Sequence, residues 1–387
     1  MQSKFRIKES HLIIISTIIL ALTGIIMIYS ASSYSAEKQF GDAYYYVKKQ
    51  SIAFAAGIIF MITGGRIRIE FLKKIKWVIL AVSVVLLALV FVPKLGVESY
   101  GATRWLNLGV ITIQPSELAK FGLMIFLAAY MTDYPPTNLK RFIVPALSAG
   151  VICALIILEP NMSITMCVGM AFIILVFVAG LQNKWLAVMV GLLAVAVPLL
   201  IILEPYRLKR FFAFLDPWQN PKDEGYQLIQ SYYALGNGGL FGVGLFASRQ
   251  KYLFLPFAES DFIFSVIGEE LGLVGCVAVI AVFATLVICG ARAALNAKDR
   301  FRCLLATGLT TVIALQTIIN LTVVTGMIPP TGVPLPYVSA GGTGLVTFMF
   351  VSGILYNVST GKTRDESPQV ISKKSTHLSR FYRHSMY

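Results

Sequence analysis

Apolar residues along this chain fall in long unbroken runs, not in the alternation of a half-buried strand or the one-sided stripe of a soluble helix. Ten runs, at about 11–30, 50–65, 76–93, 113–132, 142–158, 162–181, 185–204, 262–291, 303–323 and 339–357, approach the roughly 20 residues that a helix needs to cross a bilayer. The pattern predicts an all-α polytopic membrane protein of about ten transmembrane helices, with one large extracellular loop, about 205–261, between helices 7 and 8. Inside that loop, YQLIQSYYAL at 226–235 has the spacing of an amphipathic helix lying at the interface. The first run follows Lys4, Arg6 and Lys8, as in a secretion signal. It is longer than a signal core and many runs follow, so it reads as an uncleaved first helix. Residues 1–360 are read as one transmembrane domain and 361–387 as a basic, disordered cytoplasmic tail able to touch anionic lipid. No soluble domain and no internal repeat stands out.

Composition agrees: 57% of the 387 residues are hydrophobic and 13% charged, where a soluble chain carries about a quarter charged. A net charge of +14 could suggest nucleic acid. The basic residues instead sit in short segments between runs, the pattern that sets membrane orientation. Arg66, Arg68, Lys73, Lys74 and Lys76 mark one cytoplasmic segment, and Arg292, Lys298, Arg300 and Arg302 another, so both termini are expected inside. Cys153, Cys167, Cys276, Cys289 and Cys303 lie in or at the ends of apolar runs without metal-ligand spacing, and read as small buried hydrophobes. His11, His377 and His384 fall on the cytoplasmic side, which excludes a histidine mechanism at the outer face.

Acids at membrane depth are costly and face a partner or a cavity. Glu117 and Lys120, three apart, share a helical face and read equally as a structural ion pair or as a charged cavity wall. Asp261 ends the long loop where the eighth run begins. Physics alone favours a helix-capping acid beside Ser260, although a carboxylate there, with Glu259 near, could also act as a general base or hold a divalent cation. Glu269 and Glu270 point about 100° apart and read as structural, without a shared partner. GVGLFA at 242–247 fits the dinucleotide pattern GxGxxA, but no strand precedes it, so it is set aside, and there is no DxD. Pro329, Pro330, Pro334 and Pro336 break the stretch 326–342 into an irregular segment supporting a cavity.

Three stretches together resemble the SEDS family (shape, elongation, division and sporulation): GATRWLNLGVITIQPSELAKF at 101–121; FLDPW at 214–218 with GYQLIQSYYALGNGGLFGVGL at 225–245 and RQKYLFLPFAESDFIFSVIGEELGLVG at 249–275; and NLTVVTGMIPPTGVPLPYVSAGG at 320–342. FGVGL with RQKYLFLP is more similar to the FtsW/SpoVE branch than to RodA. The resemblance implies an inverting peptidoglycan glycosyltransferase that polymerises lipid II into β-1,4 glycan strands at the outer face of the bacterial cytoplasmic membrane, with a class B penicillin-binding protein and other division or elongation machinery as partners. It assigns catalysis to Asp261, overturning the capping preference, and cavity roles to Glu117 and Lys120. Arg104 and Trp105 match the family's outer-loop pair, and Gln227, Gln230 and Ser231 its long-loop helix. Arg104, Lys120, Arg207, Arg210 and Lys251 are candidates for the pyrophosphate, and Glu259 and Ser339 for the cavity. A magnesium or manganese ion bridging Asp261 and pyrophosphate is compatible with these residues without being required. The chain departs from the family where Phe257 replaces an acid and where Asn161 replaces another, with Glu159 preceding it. A lipid II flippase and a non-catalytic scaffold for a penicillin-binding protein are the competing readings.

Overall fold

The computed structural model describes residues 9–93, 95–99, 102–107, 109, 112–223 and 225–361; the tail expected beyond residue 361 lies outside them. Helices dominate: α1 (Glu9–Phe40), α2 (Tyr45–Arg66), α3 (Ile69–Lys74) and α4 (Lys76–Leu89) precede strands β1 (Gly96–Ser99), β2 (Ala102–Asn107) and β3 (Thr112–Ile113). Then follow α5 (Pro115–Asp133), α6 (Leu139–Leu158), α7 (Met162–Val178), α8 (Asn183–Ile202), α9 (Pro205–Leu215), α10 (Tyr226–Gly238), α11 (Ile263–Leu295), α12 (Arg300–Val324) and α13 (Gly342–Thr360). A helix lies over each of the ten expected runs. Of these, α1, α6, α11, α12 and α13 are by themselves both long and apolar enough to cross a membrane. The molecule is an integral membrane protein.

Small residues set how closely the helices meet, as in membrane bundles generally. A side chain at Gly64 would lie 2.4 Å from the Phe350 carbonyl oxygen, and one at Gly353 2.1 Å from that of Met61, so α2 and α13 approach backbone to backbone. α12 lies inside the bundle, with Leu305, Leu309, Val312 and Ile313 buried among α5, α7 and α11. Ion pairs gather at one end of the bundle: Glu9 with Arg292 at 3.0 Å, Glu70 with Arg302 at 2.5 Å, and Asp133 with both Lys73 and Lys76 at 2.6 Å. Both sets of expected cytoplasmic basic residues therefore lie on the same side.

Three features depart from the sequence reading. Residues 96–113 contain a small antiparallel sheet, order β1-β2-β3, with Val97 opposite Trp105 and Leu106 opposite Ile113. The stretch 205–261 carries α9 besides the helix expected inside it, α10. The second covers the expected amphipathic segment, yet Leu228, Ile229, Ser231 and Ala234 are buried and the helix packs on α11. Third, the eighth run is not one continuous helix. Gly272 has φ 65 and ψ −166 and breaks α11.

The break is repaired by another segment. An unbroken helix would bond the amides of Leu273 and Val274 to the carbonyls of Glu269 and Glu270. Here those amides donate to Gly239 O at 2.9 Å and Leu240 O at 3.1 Å. The freed carbonyls accept from Val243 N at 2.9 Å and Gly244 N at 3.1 Å. Each lost bond is thus replaced, which is how a broken helix is tolerated in an apolar setting. Glu269 and Glu270 do share a partner after all. Ser248 gives its hydroxyl to Glu269 and its amide to Glu270 Oε1 at 3.1 Å, while Ser30 Oγ reaches the same Oε1 at 2.5 Å. Two side chains about 100° apart converge because one residue offers donors in two directions.

Candidate functional site

Between α12 and α13 the chain runs irregularly, as its prolines require. Prolines lack amide donors and hold the backbone extended, so several carbonyls of this stretch are met by side chains. Arg210 Nη1 donates to Pro330 O at 3.4 Å, Ser163 Oγ to Thr331 O at 2.5 Å, Asn320 Nδ2 to Val333 O at 2.7 Å and Gln316 Nε2 to Pro334 O at 3.0 Å. At the far end Gln50 of α2 brackets the turn into α13, donating to Ser339 O at 3.3 Å and accepting from Gly341 N at 3.2 Å.

Asp261 is pinned to this segment from the other side. Asn320 Nδ2, besides holding Val333, donates to the Asp261 carbonyl at 2.8 Å. Ser339 Oγ donates to Ser260 O at 2.6 Å, and Ala340 N to Glu259 O at 2.9 Å. The carboxylate is oriented as well: Ser260 Oγ donates to Oδ1 at 2.8 Å, while Oδ2 faces Gly332, where a side chain would come within 3.2 Å. Gly332 has φ 70, a conformation glycine adopts without cost, so the same residue turns the chain and leaves Oδ2 uncrowded.

These groups wall a cavity of about 2200 Å³. Among the expected residues Asp261, Glu259, Arg104, Trp105, Glu117, Arg207, Arg210, Gln227 and Ser339 line it. Apolar residues such as Ile52, Phe60, Met166 and Phe350 line it too, giving room for an amphipathic ligand. It lies far from the basic end: along α12, Asn320, which holds Asp261, is about 27 Å from Arg302 at 1.5 Å per residue.

Burial raises Asp261 above the ordinary carboxylate range, against the pull of the Ser260 hydroxyl and then the Arg210 and Arg104 charges. Glu259 is raised as well, chiefly by burial, with the Asp261 charge adding to it. A recessed carboxylate with raised basicity, one free-facing oxygen and arginines nearby suits proton abstraction next to an anionic group.

Four expected residues lie elsewhere. Lys120 is behind the wall, fully buried, with Nζ 2.7 Å from Glu117 Oε2 and 2.5 Å from Gln316 Oε1. Ser231 bonds Ser265 Oγ at 2.7 Å and Val324 O at 2.8 Å, gluing α10 to α11 and α12. Gln230 is not on the cavity wall, and Lys251 turns its ammonium to the Phe246 carbonyl. Asn161, where the resemblance leads one to expect an acid, caps α7 through Ile164 N at 3.3 Å, and Phe257 lies on the cavity wall. Among the described residues no three His, Cys, Asp or Glu side chains converge as a metal cage. A cation at Asp261 and Glu259 would draw its other ligands from substrate and water.

Sequence reasoning passed over Gln50, Gln316 and Asn320. The last two stand four apart on one face of an apolar helix, a signal of a polar partner or cavity.

Fold and site together define a polytopic membrane protein with a recessed acid above a large amphipathic, cation-walled cavity. The family described as cell cycle protein, comprising FtsW, RodA and SpoVE, matches residues 10–364. A probable peptidoglycan glycosyltransferase FtsW of Geobacter metallireducens is 38% identical over 365 residues, covering 92% of this chain and 97% of that protein. Stage V sporulation protein E of Bacillus subtilis is 38% identical over 353 residues, covering 90% and 96%. Among solved structures, a peptidoglycan synthase complex described as coordinating polymerization and crosslinking superposes with TM-score 0.75 at 27% identity, covering 93% of this chain and 100% of that one. RodA of Thermus thermophilus superposes with TM-score 0.68 at 26% identity, covering 93% and 99%. The chain belongs to the FtsW/RodA/SpoVE family.

Proposed function

We propose that this protein is a peptidoglycan glycosyltransferase that joins lipid II units into β-1,4 glycan strands, with Asp261 as the general base. The observation that carries the reading is the setting of Asp261: Oδ1 held by Ser260, Oδ2 facing Gly332, and Arg104 and Arg210 close enough for their charges to act on it. Relatives named peptidoglycan glycosyltransferase support the class of reaction. In the mechanism, Asp261 takes the proton from the acceptor sugar's 4-hydroxyl as that oxygen attacks the donor's anomeric carbon. The bond from that carbon to the pyrophosphate breaks, undecaprenyl pyrophosphate leaves, and the configuration inverts. Arg104, Arg207 and Arg210 on the same wall stabilise the charge that develops on the leaving group. The apolar lining is suited to the lipid chains.

The described part of the expected 1–360 domain is the transmembrane catalytic unit, with the start of α1 and the end of α13 on the cytoplasmic side and the cavity extracellular. The gathering of basic residues at the end opposite the cavity supports this orientation. A class B penicillin-binding protein is the expected partner, in line with the synthase complex that the chain superposes on.

The test is polymerisation of purified lipid II by the reconstituted protein, with and without that partner, beside Asp261→Asn and Asp261→Ala. Loss of a positioned base should reduce the rate by about 10²–10⁴-fold without loss of folding. Full activity of a well-folded Asp261→Ala would sink the assignment. If wild type makes no polymer even with the partner, lipid II translocation in vesicles separates a flippase from a scaffold.

A further inference from the structure

Glu159 ends α6 with its side chain 0% exposed, and neither carboxyl oxygen meets a hydrogen-bond partner among the described residues. Ionising a carboxyl in such a place is costly, so the neutral acid is the stable form. Arg104 of β2 lies against the same turn, its Nε 3.0 Å from the Glu159 carbonyl oxygen and its Nη2 2.6 Å from that of Pro160. The same arginine lines the cavity, and its charge acts on Asp261. Arg104 therefore stands between two acids, one in the cavity and one behind its wall.

We propose that Glu159 is a positioning residue for Arg104: protonated, it leaves the guanidinium charge directed at the cavity, and ionised, it draws that charge back behind the wall. The proposal rests on Arg104 serving an anionic substrate, as argued above. The carboxyl has no competing function in view, since it neither lines the cavity nor caps a helix. Burial pushes Glu159 up to about 8, with Arg104 the charge that opposes it. Around it, α7 opens with the neutral Asn161, α5 carries Glu117 and Lys120 paired with each other, and α9 carries Arg207 and Arg210 on the cavity wall. Asp261 and Glu159 then act in opposite senses as pH rises, one gaining a base and the other withdrawing a cation, which gives a bell-shaped rate profile.

The test uses the full-length protein reconstituted with its penicillin-binding partner, assayed across pH 6–9.5 as wild type and with two neutral replacements, Glu159→Gln and Glu159→Leu. Wild type should lose about tenfold in rate between pH 7 and pH 9, as a group titrating near 8 requires, while a folded neutral variant stays within about twofold. An unchanged alkaline limb in the variants, or a low rate at every pH in a variant of wild-type melting temperature, overturns the proposal. Infrared difference spectra, wild type minus Glu159→Gln, give a readout that needs no turnover. The carbonyl band of a protonated carboxyl should be present at pH 6.5 and fade through about pH 8. An ionised Glu159 at pH 6.5 overturns the proposal, whereas a normal band in a protein that makes no polymer counts against the glycosyltransferase reading instead.

Discussion

Replacing Lys120 by methionine isolates the buried ion pair. Lys120 is fully buried, with its ammonium 2.7 Å from Glu117 Oε2, 2.5 Å from Gln316 Oε1 and 4.6 Å from the centre of the Phe348 ring. Methionine keeps the unbranched stem, so little volume is lost and the change is mainly one of charge. Glu117 is 2% exposed and its Oε1 already has no hydrogen-bond partner among the described residues. Without Lys120 its carboxyl is buried with no cation at all, a situation that costs about 3–5 kcal/mol. Adding Glu117→Gln removes the stranded acid and leaves unsatisfied neutral groups, at about 1–3 kcal/mol. The double variant should therefore be more stable than Lys120→Met alone, the reverse of additivity. Thermal unfolding of wild type, both single variants and the double variant in one detergent measures the cycle. Additive losses would refute the argument that the lysine is held for its charge. Glu117 lines the cavity, so polymerisation has to be normalised to folded protein.

Three further outcomes follow from the geometry. Gly272→Ala should lower the melting temperature, because a Cβ there would lie 2.3 Å from Gly242 N at a φ of 65, adding to about 1–2 kcal/mol of left-handed strain; unchanged melting would mean that 239–244 does not dock on α11. Burial raises Asp261, so the folded protein holds that proton more tightly than the unfolded chain, and the resulting stability is present at low pH and lost as pH rises through the folded-state value. Asp261→Asn should thus melt above wild type at pH 8, with the gap closing on acidification; a gap independent of pH would count against a buried, raised carboxyl. For the same reason the acid limb of polymerisation should have its midpoint above the ordinary aspartate value of about 3.9, and a rate profile flat down to pH 4 would exclude Asp261 as the titrating base.

The hydrophobic runs by themselves determined most of the helical frame, because crossing a bilayer demands a long apolar helix that satisfies its own backbone, and that demand is written locally. They also marked the charged pair Glu117–Lys120, since three residues of helix bring two side chains to one face whatever surrounds them. The prolines of 329–336 announced irregular backbone for an equally local reason. Tertiary structure decided what those pieces face. Gln227 reaches the cavity while Ser231, on the same helix, bonds α11 and α12, and no periodicity says which stripe of α10 meets which neighbour. Lys251 looked like a phosphate ligand until the fold turned it to a backbone carbonyl. The break at Gly272 was invisible because its cause lies elsewhere in the chain, in the amides and carbonyls of 239–244 that replace the lost helical bonds. Read alone, Asp261 fitted a helix cap better than a base. Asn320, 59 residues on, holds its carbonyl, and Ser339 holds that of the neighbouring Ser260 from 79 residues away; only folding brings groups so distant in sequence within a hydrogen bond of one another.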